Sequence, residues 1–313
     1  MLGAAHIHMS DLARIVRSHP GVRVVSVWDH DPGRAERWAS ALAAHACADL
    51  DLALDAEALH GALVYSETSR HRYLVSAAAR RGLAVYVEKP LAASQTDAVA
   101  MSEALAGSPL FSTGFFLRYA DAFLRLRHAV ANGDVGQVHR AAVRVVHGGL
   151  RHGWFDGEHA WMRERAEGGG GFFDLVIHCL DVAAWVLGPI DLVVDVRLRL
   201  SGHHGVAVVR TESGVAVEME AGWGASTPAI QMTVRGDRTT LTATGGRLLA
   251  GSTAVATGRP PDAGDAPRAW LDALANRAAQ PLVSLDDAVD RVRATDQLRR
   301  LASTDDRRRS QAP

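Results

Sequence analysis

Two patterns of apolar and polar positions divide the chain. Short apolar runs over 22–28, 62–66 and 83–87 have the length and β-branched content of buried strands, and the segments over 34–46 and 71–81 carry apolar residues at helical spacing. Strands alternating with helices predict a parallel sheet wound on both faces, which a helix over 94–106 and a strand near 110–115 complete. From Val135 the strands lengthen, over 137–147, 192–200, 206–211, 215–221 and 231–235, and the pairs Ser213-Gly214, Gly236-Asp237 and Gly245-Gly246 mark turns between them. That change predicts an antiparallel or mixed sheet carrying one helix after Gly171. Two helices close the chain, the second starting at Ser284, where Ser284 and Asp287 make a capping pair. The expected organisation is therefore α/β, with a first domain over 1–116 and an α+β domain over 117–303. The charge-dense tail over 304–313 has too little apolar content to pack and is expected to be disordered.

Composition narrows the partners. Lys and Arg total 34 against 35 Asp and Glu, so no net field draws nucleic acid or an anionic membrane to the protein. Only Cys47 and Cys179 are present, which gives neither a disulfide framework nor a cysteine-based zinc site and suits a reducing cytoplasm. The most apolar stretch, 175–196, is interrupted by His178, Asp181 and Asp191, so no segment predicts a transmembrane span, and no signal peptide is evident. A cytoplasmic protein with a neutral small-molecule partner is the expectation.

The loop Gly3-Ala4-Ala5-His6-Ile7-His8 precedes a helical stretch over 11–17, and Asp29 ends the next strand about 20 residues later, the spacing of a dinucleotide-binding unit. Gly3 permits the tight turn, Ala5 is small enough for close backbone approach, and the helix start offers N–H groups to a pyrophosphate. The Asp29 carboxylate suits ribose hydroxyls and repels a 2′-phosphate, which favours NAD(H) over NADP(H), while nearby Arg34 pulls the other way. His8 stands where a last glycine is usual. Only Met1 and Leu2 precede Gly3, where the central strand of such a sheet belongs, so the first strand is expected to be truncated. Upstream residues of the reading frame are then expected to raise the melting temperature by pairing open backbone groups.

Glu88-Lys89-Pro90 closes the strand over 83–87 at the carboxyl edge of the parallel sheet, where ligands bind in such folds. An ammonium there can bind a substrate oxygen and stabilise a developing alkoxide. Further on, Gly168-Gly169-Gly170-Gly171 leads into a helix bearing Asp174 and His178, four residues apart and so on one helical face. Imidazole is suited to moving the proton of an alcohol, and Asp174 to orienting it or binding a substrate hydroxyl. An i, i+4 pair that only staples the helix, and a lysine that only ends a strand, are the alternatives.

These residues resemble the glucose-fructose oxidoreductase and inositol dehydrogenase family, Gfo/Idh/MocA, over nearly the whole chain. Glu88-Lys89-Pro90 matches its EKP motif, and the segment over 168–178 its glycine run, Asp, three residues and His. Ser66-Glu67-Thr68-Ser69-Arg70-His71 looks like its cofactor-contacting segment, with Glu67-Thr68 replacing the usual Pro-Asn, and 115–119, 133–136 and the closing helix also fall where the family has similar sequence. The resemblance implies a Rossmann-type first domain and an open-faced, largely antiparallel sheet in the second. It implies Lys89, Asp174 and His178 as catalytic residues, and Gly3, Ala4, Ala5, His6, Ile7, Asp29, Arg34, Ser66, Glu67, His71, Glu88 and Lys89 as cofactor contacts. It further implies hydride exchange with a sugar, cyclitol or related polyol, and a homodimer or homotetramer. Arg118 is expected toward substrate, as are His152, Trp154 and Trp161, which with His147, Arg151 and His159 lie just before the glycine run and either line the pocket or serve as framework.

Two other classes compete. His6-Ile7-His8 looks like the His-x-His of metal-dependent hydrolases, but no third ligand is spaced in sequence to join the pair, so no metal is expected. The altered glycine loop also suits a protein that binds a dinucleotide without turning it over.

Overall fold

The computed structural model of the chain describes residues 1–56, 58–167, 170–276 and 280–310. The chain forms two compact units, the first comprising Met1–Phe116 with Gly157–Trp161 and Ala263–Val289, the second Leu117–Asp156, Met162–Asp262 and Asp290–Pro313. Two segments that the sequence places in the second domain thus return to the first.

In the first unit β1 (Leu2–Ala4), α1 (Met9–Ser18), β2 (Ser26–Trp28), α2 (Pro32–Leu42), β3 (His45–Cys47), α3 (Leu50–Leu54), β4 (Gly61–Tyr65), α4 (His71–Ala79), β5 (Ala84–Val87), α5 (Gln95–Leu105) and β6 (Phe111–Thr113) follow in order. The six strands pair in parallel in the order β3-β2-β1-β4-β5-β6. The first strand is present, though only three residues long, and it lies at the centre: Leu2 pairs with Trp28 on one side and Val64 on the other. The Met1 carbonyl accepts from the Trp28 amide at 2.9 Å, which extends the pairing by one residue. Helix α2 is opened by the Asp31 carboxylate accepting from the Arg34 amide, with Pro32 in its first turn, and it stops at Ala43, whose left-handed φ of 52° ends it before the predicted 46. The freed residues become the edge strand β3.

The second unit contains α6 (Asp121–Ala131), β7 (Val138–Val146), α7 (Gly170–Leu187), β8 (Ile190–Arg199), β9 (His204–Thr211), β10 (Ala216–Gly222), β11 (Ala229–Gly236), β12 (Thr240–Thr244), β13 (Arg247–Ala250) and β14 (Thr253–Thr257). Its eight strands run in the order β14-β13-β12-β11-β7-β10-β9-β8, antiparallel except where β10 lies parallel to β7. Alternation sends Val217, Met219, Ala207 and Val209 inward and leaves Glu218, Glu220 and Val206 on the other face. Helix α7 packs on β7, β9 and β10 and α6 on β12 and β13, covering the inward face. Although α7 is apolar enough along its 18 residues to cross a membrane, 78% of it is buried, as befits the core helix of this unit.

Helix α8 (Asp265–Asn276) belongs to the first unit, where Trp270 lies against Tyr86 with ring centroids 6.0 Å apart. A Cβ on Gly61 would come within 2.8 Å of that indole, so glycine is required at the start of β4. The last helix, α9 (Leu285–Ser310), continues through residues expected to be disordered. Extending a formed helix adds a hydrogen bond per residue without a new nucleation cost, so a polar tail can follow a packed beginning. Residues 311–313 lie outside the described residues.

Within the second unit Arg118 and Asp181 are 2% and 1% exposed, and the guanidinium holds the carboxylate through Nη2 at 2.6 Å and Nε at 3.0 Å. Removing one partner of such a pair leaves a buried charge without its counterion. Asp181→Ala is therefore expected to lower the unfolding free energy by about 3–5 kcal/mol, measured by urea denaturation; a loss below about 1 kcal/mol would contradict this account.

Candidate functional site

The turn after β1 is shaped by one close approach. Gly3 has φ 74°, and a Cβ there would collide with the Cβ of Ser66 just past β4, so only glycine lets the two strand ends lie together. The chain then passes through Ala5, His6 and Ile7 into α1, whose first turn has no side-chain cap. The His6 amide donates to the Tyr65 carbonyl at 2.9 Å. Residues 157–161 fold onto this loop: the Trp161 indole donates to the Ala5 carbonyl at 3.4 Å, and a ring nitrogen of His159 lies 3.3 Å from the same oxygen. Trp161, expected toward substrate, is thus placed against the loop, with His159 beside it on the same carbonyl.

Asp29 ends β2 in a crowded setting. Its carboxylate accepts from the Ala4 amide at 2.7 Å, the Asp31 amide at 2.9 Å, and Arg34 Nε and Nη2 at 3.0 and 2.9 Å. Those bonds use about all the lone-pair positions a carboxylate offers. The expectation of Asp29 awaiting two ribose hydroxyls changes accordingly, because Arg34 must move from Asp29 before they can bind it. Arg34 also bonds Glu67 at 2.9 Å. Burial opposes its charge, but Asp29 and Glu67 outweigh that and raise its pKa.

Further along the same sheet edge, Glu88 and Lys89 follow β5, 2% and 3% exposed. Glu88 Oε2 accepts from the Lys89 amide at 3.0 Å, and Oε1 lies 3.1 Å from His8 Nδ1. Burial works against its charge, yet His6, His8 and Lys89 together hold the carboxyl well below the usual carboxylate range. A Cβ on Gly114 would lie 2.7 Å from Glu88 Oε2, so a side chain after β6 would displace this carboxylate, and sequence alone offered no signal for it beyond its place after a strand. His71 is buried, with Nδ1 3.0 and 3.2 Å from the carbonyls of Pro90 and Leu91 and Nε2 3.3 Å from that of Ser66. It ties two loops of the edge together rather than presenting a nitrogen to a ligand. A cavity of about 400 Å3 opens at the opposite, amino edge, lined by Leu2, His60, Trp270 and their neighbours, away from these groups.

In the second unit Asp174 and His178 lie one turn apart on α7, which starts at Gly170 (φ 77°); Gly168 and Gly169 lie outside the described residues. A Cβ on Gly171 would meet the Trp223 ring and the His203 carbonyl at 2.6 Å, so the glycine lets the helix begin against them. Trp223 donates from Nε1 to Asp174 Oδ2 at 2.9 Å, and its ring stacks between Phe155 and His203, with centroids 3.5 and 5.5 Å away. This aromatic support of Asp174 was not legible in the sequence, where Trp223 is one more residue at a strand end. His178 is 3% exposed. Exposed Trp154 stacks with His152 at 5.8 Å, whereas Arg118 is buried against Asp181 and so positioned as framework.

This arrangement meets independent likenesses. A family model described as an oxidoreductase family with an NAD-binding Rossmann fold matches residues 1–112, and the GFO/IDH/MocA C-terminal domain matches 123–242. The chain belongs to the Gfo/Idh/MocA family. An inositol 2-dehydrogenase of Leifsonia xyli subsp. xyli (strain CTCB07) is 28% identical over 222 residues, 70% of this chain and 62% of that protein, so the match spans under two thirds of the relative's length. Among solved structures, GenD2 from gentamicin A biosynthesis, in complex with NAD, has a TM-score of 0.80 at 21% identity, covering 96% of this chain and 93% of its own. The WlbA dehydrogenase from Bordetella pertussis, in complex with NADH and UDP-GlcNAcA, reaches 0.82 at 17% identity, covering 97% and 94%. At these identities the structural likeness establishes the shared fold.

Burial lowers the pKa of His71, more than its backbone hydrogen bonds raise it. A histidine with a depressed folded pKa resists protonation in the folded state, so the unfolded chain takes up more protons once pH falls below about 6.5. Stability attributable to His71 is therefore present above that pH and lost as pH drops through the folded value. Urea midpoints at pH 7.5 and 5.5 should fall less in His71→Gln than in the parent; an equal fall would contradict this.

Proposed function

We propose that the protein is an NAD(H)-dependent dehydrogenase or reductase exchanging hydride with a secondary alcohol or ketone of a sugar, cyclitol or related polyol. The observation that carries this reading is the carboxyl edge of the parallel sheet, where the Gly3 turn, the uncapped start of α1, Asp29 and buried Lys89 stand together. The loop over 3–7 and the start of α1 would hold the pyrophosphate, and Asp29, once Arg34 yields, the adenosine ribose. The bound nicotinamide supplies the hydride acceptor or donor. His178 exchanges the proton of the substrate hydroxyl, and Asp174, held by Trp223, orients that hydroxyl or the imidazole. Lys89 stabilises negative charge developing on the substrate oxygen. The family membership and the relative named inositol 2-dehydrogenase support the reaction class and put cyclitols first among substrates. The uncovered face of the second sheet, with exposed Leu192, Val194 and Val206, supports a homodimer or homotetramer.

Cofactor choice follows from Arg34. Held by Glu67 even when it leaves Asp29, the guanidinium is a poor receptor for a 2′-phosphate, and the two carboxylates repel one, which favours NAD(H). In thermal-shift titrations NAD(H) should raise the melting temperature at lower concentration than NADP(H), since a ligand of the native state stabilises it. Glu67→Ala should narrow that difference by releasing Arg34, and an unchanged preference would remove Arg34 from the explanation.

Turnover is assayed on a panel of cyclitols and sugars. His178→Ala should reduce it by about 100-fold or more while leaving the NAD(H)-induced shift intact. Full turnover in that variant would reject the assignment.

A further inference from the structure

The His6-Ile7-His8 pair lacks a third ligand in sequence, but the topology provides one 80 residues beyond His8. Strand β5 ends beside the β1–α1 loop and delivers Glu88, so that one ligand atom from each of His6, His8 and Glu88 lies within 4.8 Å of the others. His8 Nδ1 and Glu88 Oε1 are 3.1 Å apart. Zinc with bonds of about 2.0–2.1 Å in tetrahedral geometry holds its ligand atoms about 3.3 Å apart, so this pair is already at coordination spacing and only the His6 nitrogen must close in.

The surroundings are those of a supported site. The imidazoles meet edge to face, with centroids 4.7 Å apart at 68°, and so converge instead of stacking. The second oxygen of Glu88 is fixed by the Lys89 amide, leaving Oε1 toward the histidines. Tyr65 and Trp161 each pack against the His6 ring at 6.1 Å. Such outer contacts set ligand orientation in metal sites. His6 and Glu88 are buried, while His8 is partly exposed and gives access from solvent.

We propose that His6, His8 and Glu88 form a binding site for a divalent transition metal of the zinc type. Two imidazole nitrogens and a carboxylate oxygen select such a metal over magnesium or calcium, and three protein ligands leave a fourth position for water or an anionic oxygen. The site shares the β1–α1 loop with the proposed pyrophosphate contacts, but metal binding is measured without dinucleotide or substrate, so its failure is distinguishable from failure of the dehydrogenase reading.

The test is titration of the metal-stripped full chain with zinc by calorimetry and with cobalt(II) by visible absorption. One equivalent of metal should bind, and cobalt should develop the intense bands of a four-coordinate N/O site. His8→Ala, a substitution in a partly exposed loop, should weaken binding by about 100-fold, with the circular dichroism spectrum of the metal-free variant showing that it folds as the parent does; Glu88→Gln should do the same to binding. Absence of stoichiometric binding, or equal affinity in His8→Ala, overturns the proposal, the latter assigning the metal to other histidines. An NAD(H) thermal shift on the same preparations reports separately on the dehydrogenase reading.

Discussion

The close approach of Gly3 to Ser66 is the constraint on which the first unit depends. A three-residue strand has little pairing of its own, yet β1 occupies the centre of the sheet and both neighbours rely on its register. Without a Cβ at Gly3, the end of β1 lies against the residue that follows β4, and the Ala4 and His6 amides fall opposite the Asp29 carboxylate and the Tyr65 carbonyl. Side chains along this edge thereby reach one another: Arg34 bridges Asp29 after β2 and Glu67 after β4, and His8 meets Glu88 after β5. A larger residue at position 3 would separate strand ends as well as strain a turn.

The second unit solves a comparable problem. Its helix α7 must start close to the sheet if Asp174, in the early turns, is to meet a side chain from the end of β10. Gly171 permits that approach by letting Trp223 and the His203 carbonyl into the space a Cβ would fill, and Trp223 in turn fixes Asp174. In both units a glycine decides where a carboxylate can be held.

Periodicity was enough to read the two sheets and most of their strands, because strands buried on both faces and strands covered on one produce different apolar patterns. It failed where a single residue interrupts a pattern, as at Ala43, whose left-handed backbone converts the expected end of α2 into β3. It also missed β1, too short to form a pattern, and α6, which no expectation covered. Motif spacing located Lys89, Asp174 and His178 on their elements. What it did not carry was partnership across the fold: Arg34 on Glu67, Trp223 on Asp174, Asp181 on Arg118 and Glu88 on His8 are separated by 33 to 80 residues, and no local rule links such positions.

Glu88 shows why those partnerships matter for chemistry. A buried carboxylate stays ionised only if positive charge or hydrogen bonds replace the water it lost. Here His6, His8 and Lys89 share that task, so none of them is independent of the others. Any cation that drew Glu88 Oε1 and the two imidazoles together would take over the same charge balance and reduce the carboxylate's hold on Lys89. The surroundings of Lys89 therefore include, through Glu88, a pair of histidines in the β1–α1 turn, which makes that turn part of the chemistry of β5 as well as a support for a nucleotide.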